Sequence, residues 1–262
     1  MREEIGERRD FIKQLSALGI LGAVVATGIG GTVYLGADNR ALLRPPAAVD
    51  EENFLALCVK CGQCLQVCPY DSIILADVDE GAGVGTPFID ALRRGCYLCP
   101  LLPCVLACPS GALDHHVEDI KKLEMGIAIT PKINSCIALE NKTVTKKMIN
   151  RVYDNTKTLT KSELKHHKLE EFPNKSDKRE LEEEVLKKLD TFEGKACTLC
   201  ADMCPLPNSN EAIIMVADEK SGGKKPKILE ACVGCGVCVE VCPASVLAIK
   251  PRLKYSDYYE KG

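Results

Sequence analysis

Four cysteines, Cys58, Cys61, Cys64 and Cys68, stand at the spacing C-x2-C-x2-C-x3-C, with Pro69 directly after the last. The same string returns at Cys232, Cys235, Cys238 and Cys242 before Pro243, and Gly62 and Gly236 hold the same place in the two copies. A third quartet, Cys96, Cys99, Cys104 and Cys108 before Pro109, keeps the pattern with a longer middle loop. The 262-residue chain has sixteen cysteines, enough for four complete sets of four. Cys61, Cys64, Cys68, Cys96 and Cys99 each have a cysteine 136 positions later, at Cys197, Cys200, Cys204, Cys232 and Cys235. Five coincidences at one offset mean an internal duplication.

The chemistry that needs this spacing is a cube of iron and sulfide held by four thiolates. Three cysteines at two-residue intervals wrap one loop around three corners, and the cysteine before proline ligates a second cluster. Gly62, which has no Cβ, lets the backbone bend closely around the sulfurs. A disulfide framework does not require tight quartets that each end in Cys-Pro, and structural zinc takes two separated pairs. The duplication also exposes a gap, because Cys58 plus 136 is Gly194. Cys136 lies outside the quartets and is the candidate to replace that ligand from far upstream. The expected ligands of four [4Fe–4S] clusters are therefore Cys58, Cys61, Cys64, Cys68, Cys96, Cys99, Cys104, Cys108, Cys136, Cys197, Cys200, Cys204, Cys232, Cys235, Cys238 and Cys242. Clusters of this kind substitute for part of a hydrophobic core, in keeping with 5% aromatic residues and no Trp. The net charge of -3, without a basic stripe interleaved with aromatics, argues against nucleic acid as a partner.

Residues 1–36 carry Arg8-Arg9-Asp10-Phe11-Ile12-Lys13 and then the apolar run Leu15 to Leu35, which looks like a twin-arginine export signal. That route carries folded proteins, as a chain whose clusters are inserted in the cytoplasm requires. No small-x-small site directly follows the run, so it is expected to stay as an anchor at the periplasmic face of the inner membrane. Residues 37–50, with Pro45-Pro46, read as a linker. Residues 51–140 form the first half, with a strand at Ser72 to Leu75 and an edge strand returning over Thr86 to Ile89. Residues 194–252 repeat this, with strands at Ala212 to Val216 and Lys227 to Leu229, and 253–262 are a tail.

Between the halves, 141–193 read as an inserted helical flap whose charges form a solvated face. Met148, Ile149, Val152 and Tyr153 share one helical face, as do Leu181, Val185, Leu186, Leu189 and Phe192. Ser176 is the expected N-cap, and Glu183–Lys187 and Glu184–Lys188 support the second helix. His115-His116 and His166-His167 read as surface residues, since every cluster already has four cysteines. No catalytic triad or carboxylate pair is indicated by spacing.

Gly85-Thr86-Pro87-Phe88-Ile89-Asp90 ahead of Cys96-Tyr97-Leu98-Cys99-Pro100, with Asn134-Ser135-Cys136-Ile137-Ala138-Leu139, resembles the NapG/MauM group of ferredoxin-type proteins. The resemblance covers the signal and both halves; where the family places its next CxxC a few residues later, a long insertion intervenes here. The expected fold is α+β: duplicated ferredoxin-like bis-[4Fe–4S] modules with an inserted helical segment and an N-terminal apolar helix. The resemblance implies electron transfer, as a component of a quinol dehydrogenase. Its partners would be an integral membrane iron–sulfur protein that oxidises quinol and, as acceptor, a periplasmic cytochrome or molybdenum nitrate reductase. Two other functions stay open: an iron–sulfur subunit of another molybdopterin oxidoreductase, and a factor for cofactor maturation.

Ligand pairing has two solutions. Crossing the Cys-Pro ligands within each half couples the first quartet with the second and the third with the fourth. Larger four-cluster electron-transfer subunits, which the chain also resembles, couple the first with the fourth and the second with the third. The second scheme is the expectation. It groups Cys58, Cys61, Cys64 with Cys242; Cys232, Cys235, Cys238 with Cys68; Cys96, Cys99, Cys104 with Cys204; and Cys136, Cys197, Cys200 with Cys108.

Overall fold

Loops that must wrap four thiols leave room only for short regular elements, and short elements dominate the computed structural model. It describes residues 41–78, 83–117, 119–154 and 177–260. The export signal, the N-terminal apolar helix, Ser176 and His166-His167 lie outside the described residues. Among the described residues no helix is long and apolar enough to cross a membrane.

In chain order the elements are α1 (Glu51–Leu57), α2 (Gln63–Gln66), β1 (Ile73–Leu75), β2 (Pro87–Ile89), α3 (Pro103–Leu106), β3 (Gly126–Ile129), α4 (Lys146–Tyr153), α5 (Asp177–Asp190), α6 (Leu199–Asp202), α7 (Ser209–Ala212), β4 (Ile213–Ala217), β5 (Lys224–Ile228), α8 (Val237–Glu240) and β6 (Ala248–Pro251). The duplication is visible as α2-β1-β2-α3 followed by α6-β4-β5-α8. Each half has one antiparallel hairpin, pairing Ile73 with Ile89 and Ile213 with Ile228. All four of those isoleucines are buried. In each half the two short helices pack on one another, α2 on α3 and α6 on α8.

A third two-stranded sheet joins distant parts of the chain. β3 pairs antiparallel with β6, from Gly126 opposite Pro251 to Ile129 opposite Ala248. Every residue of β3 is buried, so no alternation of polar and apolar residues marks it as a strand.

Among the described residues, 41–75, 85–117, 119–154 and 177–260 form one compact unit. Residues 76–78 and 83–84 fall outside that unit, and there the Val78 amide donates to Asp77 Oδ1 at 2.7 Å.

Residues 42–46 of the stretch read as a linker are buried. The Leu43 carbonyl accepts from the Ile89 amide, extending the first hairpin. The Arg44 guanidinium lies buried over the Phe54 ring at 4.7 Å and donates to Thr86 Oγ1, the Pro87 carbonyl and Glu51. A buried guanidinium with its donors used in this way fixes its own backbone.

The flap also departs from its expected solvated face. α4 and α5 pack together, with Ile149, Val152, Leu186 and Leu189 buried in the common core. Glu184, Lys187 and Lys188 are exposed, but Glu182 and Glu183 are buried. Tyr153 Oη donates to Asp190 Oδ2 at 2.5 Å and Lys146 Nζ bonds the other oxygen at 2.9 Å, locking the two helices.

Candidate iron–sulfur sites

The sixteen cysteines come together in four groups. Site 1 is Cys58, Cys61, Cys64 and Cys108: burial pushes the Cys64 thiol up to about 11, and its three like-charged neighbours are the other members. Site 2 is Cys68, Cys96, Cys99 and Cys104, around a small cavity walled by Ile73, Tyr97 and Leu102. Site 3, Cys204, Cys232, Cys235 and Cys238, surrounds a similar cavity walled by Leu206, Ile213 and Ile228. Site 4, Cys136, Cys197, Cys200 and Cys242, surrounds one walled by Leu199, Met215 and Val246.

This grouping corrects the expected pairing. Cys68 joins the second quartet and Cys108 the first; Cys204 joins the fourth and Cys242 the third. The cause is local packing. Cys68 and Cys108 leave the C-terminal ends of α2 and α3, which lie against each other, so each lands in the other's loop. α6 and α8 exchange Cys204 and Cys242 in the same way. Cys136 does fill the place left by Gly194, but its Cys-Pro partner is Cys242 and not Cys108.

The sites follow one another in a row. Cys64 of site 1 is a like-charged neighbour of Cys104 in site 2. Site 2 meets site 3 where the Cys96 amide donates to the Cys235 carbonyl at 2.7 Å. Site 3 meets site 4 where Cys200 neighbours Cys238. The halves touch closely at the middle step: a Cβ on Gly95 would come 2.4 Å from the Val237 nitrogen, nearer than atoms pack.

Burial dominates the thiols. It raises Cys197 to about 11 and Cys99 and Cys104 to about 12, and it holds Cys96 and Cys238 well above the ordinary thiol range. Thiolate ligands in such walls need a cation to stabilise them, and coordinated iron does this outright. Cys108 differs: burial raises its pKa, but backbone N–H groups of Leu113, Ser110 and Ala112 with the Ser110 hydroxyl outweigh it and lower the thiol. Amides also donate to sulfur at matching places in the halves, Ser72 to Cys68 Sγ and Val246 to Cys242 Sγ, each at 3.3 Å. Such bonds tune a cluster's potential.

The donor set fits [4Fe–4S] cubes: four thiols in each group, around an apolar space at sites 2, 3 and 4, with N–H groups aimed at sulfur. A single tetrahedral zinc would draw its thiolates to about 2.3 Å. Among the described residues no group of three or more His, Cys, Asp or Glu is gathered for a single metal ion. His115 is exposed, yet its Nε2 lies 2.9 Å from the Cys108 carbonyl, so it borders site 1 without being a ligand.

Cysteine counting misses the charged residues between these sites. Arg94, Glu182 and Glu240 are buried together, and Arg151 of the flap donates to the carbonyls of Glu240 and Cys242 at 2.9 and 2.5 Å. The one visible signal is Glu240 itself, a carboxylate set inside the apolar run Val237-Cys238-Val239-Glu240-Val241-Cys242.

The family described as 4Fe-4S dicluster domain matches residues 57–112 and 195–246, one copy in each half. The ferredoxin-type protein NapG of Escherichia coli is 30% identical over 251 residues, spanning 93% of this chain and 84% of that one. The chain belongs to the NapG and MauM ferredoxin-type proteins. The methylamine utilization ferredoxin-type protein MauM of Methylorubrum extorquens is 29% identical over 235 residues, 87% of this chain and 82% of the relative. No solved structure matches. As a NapG/MauM-type protein with two dicluster domains, the chain is an iron–sulfur electron-transfer protein.

Proposed function

We propose that the chain carries four [4Fe–4S] clusters and relays single electrons along them, from a membrane partner that oxidises quinol to a periplasmic cytochrome or molybdenum reductase, nitrate reductase first among them. One observation carries this: four cysteine groups follow one another in a row, with thiols of neighbouring groups near enough to interact electrostatically and the two halves hydrogen-bonded at the middle step. When bound, the clusters supply one-electron redox chemistry, and the chain supplies spacing, burial and hydrogen bonds to sulfur. No proton donor or acceptor is required. The Arg8-Arg9 stretch and the apolar run after it support export in the folded state and attachment at the outer face of the inner membrane. The MauM relatives, named for methylamine utilization, support a second reading in which the same relay serves a different periplasmic oxidoreductase.

The test is stoichiometry and then current. Anaerobically purified chain should contain about sixteen iron and sixteen sulfide per polypeptide, with magnetically interacting EPR signals after reduction. Mixed with the quinol-oxidising membrane partner and quinol, it should be reduced and then reoxidised by the periplasmic acceptor. An iron-free chain with cross-linked thiols sinks the proposal.

A further inference from the structure

The middle of the row carries a feature that iron ligation does not explain. Arg94 is 3% exposed, and its guanidinium bonds two carboxylates that are each 1% exposed: Glu240 at 3.1 Å and Glu182 at 2.6 Å. Arg94 comes from the first half, Glu240 from the second and Glu182 from the flap. Glu240 Oε2 also accepts from the Gly95 amide at 2.8 Å and from Tyr97 Oη at 3.2 Å. The partners of Glu240, Arg94, the Gly95 amide and Tyr97 Oη, are all donors, the surroundings that an ionised carboxylate requires. Two buried carboxylates thus share one guanidinium out of water.

Stability is a poor reason for this arrangement. Burying three charges costs much desolvation, and apolar residues of similar volume usually hold an interface as well. Placement suggests another reason. Glu240 sits between Cys238 of site 3 and Cys242 of site 4, and its oxygen touches the amide beside Cys96 of site 2. Adding an electron to a cluster adds negative charge, so a fixed carboxylate opposes reduction and a fixed guanidinium favours it, most strongly where water is excluded.

We infer that Glu240 and Arg94 are positioning residues for the current: their opposed buried charges set the potentials of the two central clusters, and hence the height of the step by which electrons cross between the halves. The inference rests on the proposed relay. It is tested in the full, cluster-loaded chain by EPR-monitored redox titration of the wild type, Glu240→Gln and Arg94→Gln. The expected result is a higher potential for at least one central cluster in Glu240→Gln and a lower one in Arg94→Gln, while site 1 holds its wild-type value as an internal reference. A merely structural role would not produce shifts of opposite sign. Should Arg94→Gln fail to load iron, Glu182→Gln keeps the test alive. It removes the other carboxylate from a helix without cysteines and should raise the same potentials by less. Four unmoved potentials, or shifts of one sign in both charge-opposed variants, overturn the inference alone. An iron-free wild type overturns the relay itself, and this with it.

Discussion

Sites 1 and 4 stand at opposite ends of the row, and they differ in everything but their thiols. At site 1 Cys61 is exposed and Cys58 half-buried, and the flanking Leu57, Val59 and Leu106 face solvent. At site 4, Cys136, Cys197, Cys200 and Cys242 are all buried. The flap accounts for part of the contrast. Its helix α4 sends Arg151 to the Cys242 carbonyl, and the α4–α5 pair packs into the common core. The duplication produced two equivalent halves, and the insertion at 141–193 made them unequal. In the proposed relay, a row with one open and one covered end should exchange electrons with soluble oxidants and partners most readily at site 1.

The strongest way to break this comparison is to remove one ligand at each end. Cys136→Ser and Cys61→Ser should each lose about four of sixteen irons by metal analysis. Only Cys136→Ser should also lower the thermal unfolding midpoint substantially, because its loss opens a cavity in the core. Equal melting of the two variants would mean that site 4 is no more part of the core than site 1. Next in size is the packing of the flap. Leu189 is fully buried, so Leu189→Ala should cost about 3 kcal/mol in denaturant unfolding. Leu106, 64% exposed beside site 1, should change stability by less than about 0.5 kcal/mol when cut back to Ala.

Gly95→Ala probes the join between the halves. Its Cβ would press on the Val237 backbone, which cannot yield as a side-chain tip could, for a cost of about 2 kcal/mol. Weakened dipolar coupling between sites 2 and 3 should accompany that loss in the EPR spectrum. Arg151→Ala, a smaller effect than Gly95→Ala, leaves the Cys242 and Glu240 carbonyls without their charged donor, for about 1.5 kcal/mol. The same variant should lower the potential of site 4 and leave site 1 untouched; an equal shift at both ends would dissolve the asymmetry.

Parts of this architecture were legible before any coordinates. The hairpins were, because Ile73-Ile74-Leu75 and Ile213-Ile214-Met215-Val216 are isoleucine-rich apolar runs bounded by turns. The place of Cys136 was too, because an offset of 136 leaves a hole at Gly194. The pairing was not. Spacing allows the Cys-Pro thiols to cross within a half or between halves, and only the packing of α2 on α3 and of α6 on α8 selects the former. Nor was β3, whose four residues alternate in nothing and whose partner strand lies at the far end of the chain. Glu182 and Glu183 looked like two more members of a charged helical face, since burial depends on what a helix packs against and not on its own pattern.

Sequence alone determined the number of thiols, their arrangement in quartets, the duplication and the redox class, because coordination chemistry demands local spacing and spacing is a one-dimensional property. Tertiary structure alone decided which quartets exchange ligands, which end of the row is covered, and that three charged side chains meet at its centre. Those outcomes depend on surfaces brought together from residues up to 146 positions apart, as Arg94 and Glu240 are, and the packing free energy that joins them leaves no periodic mark on either segment.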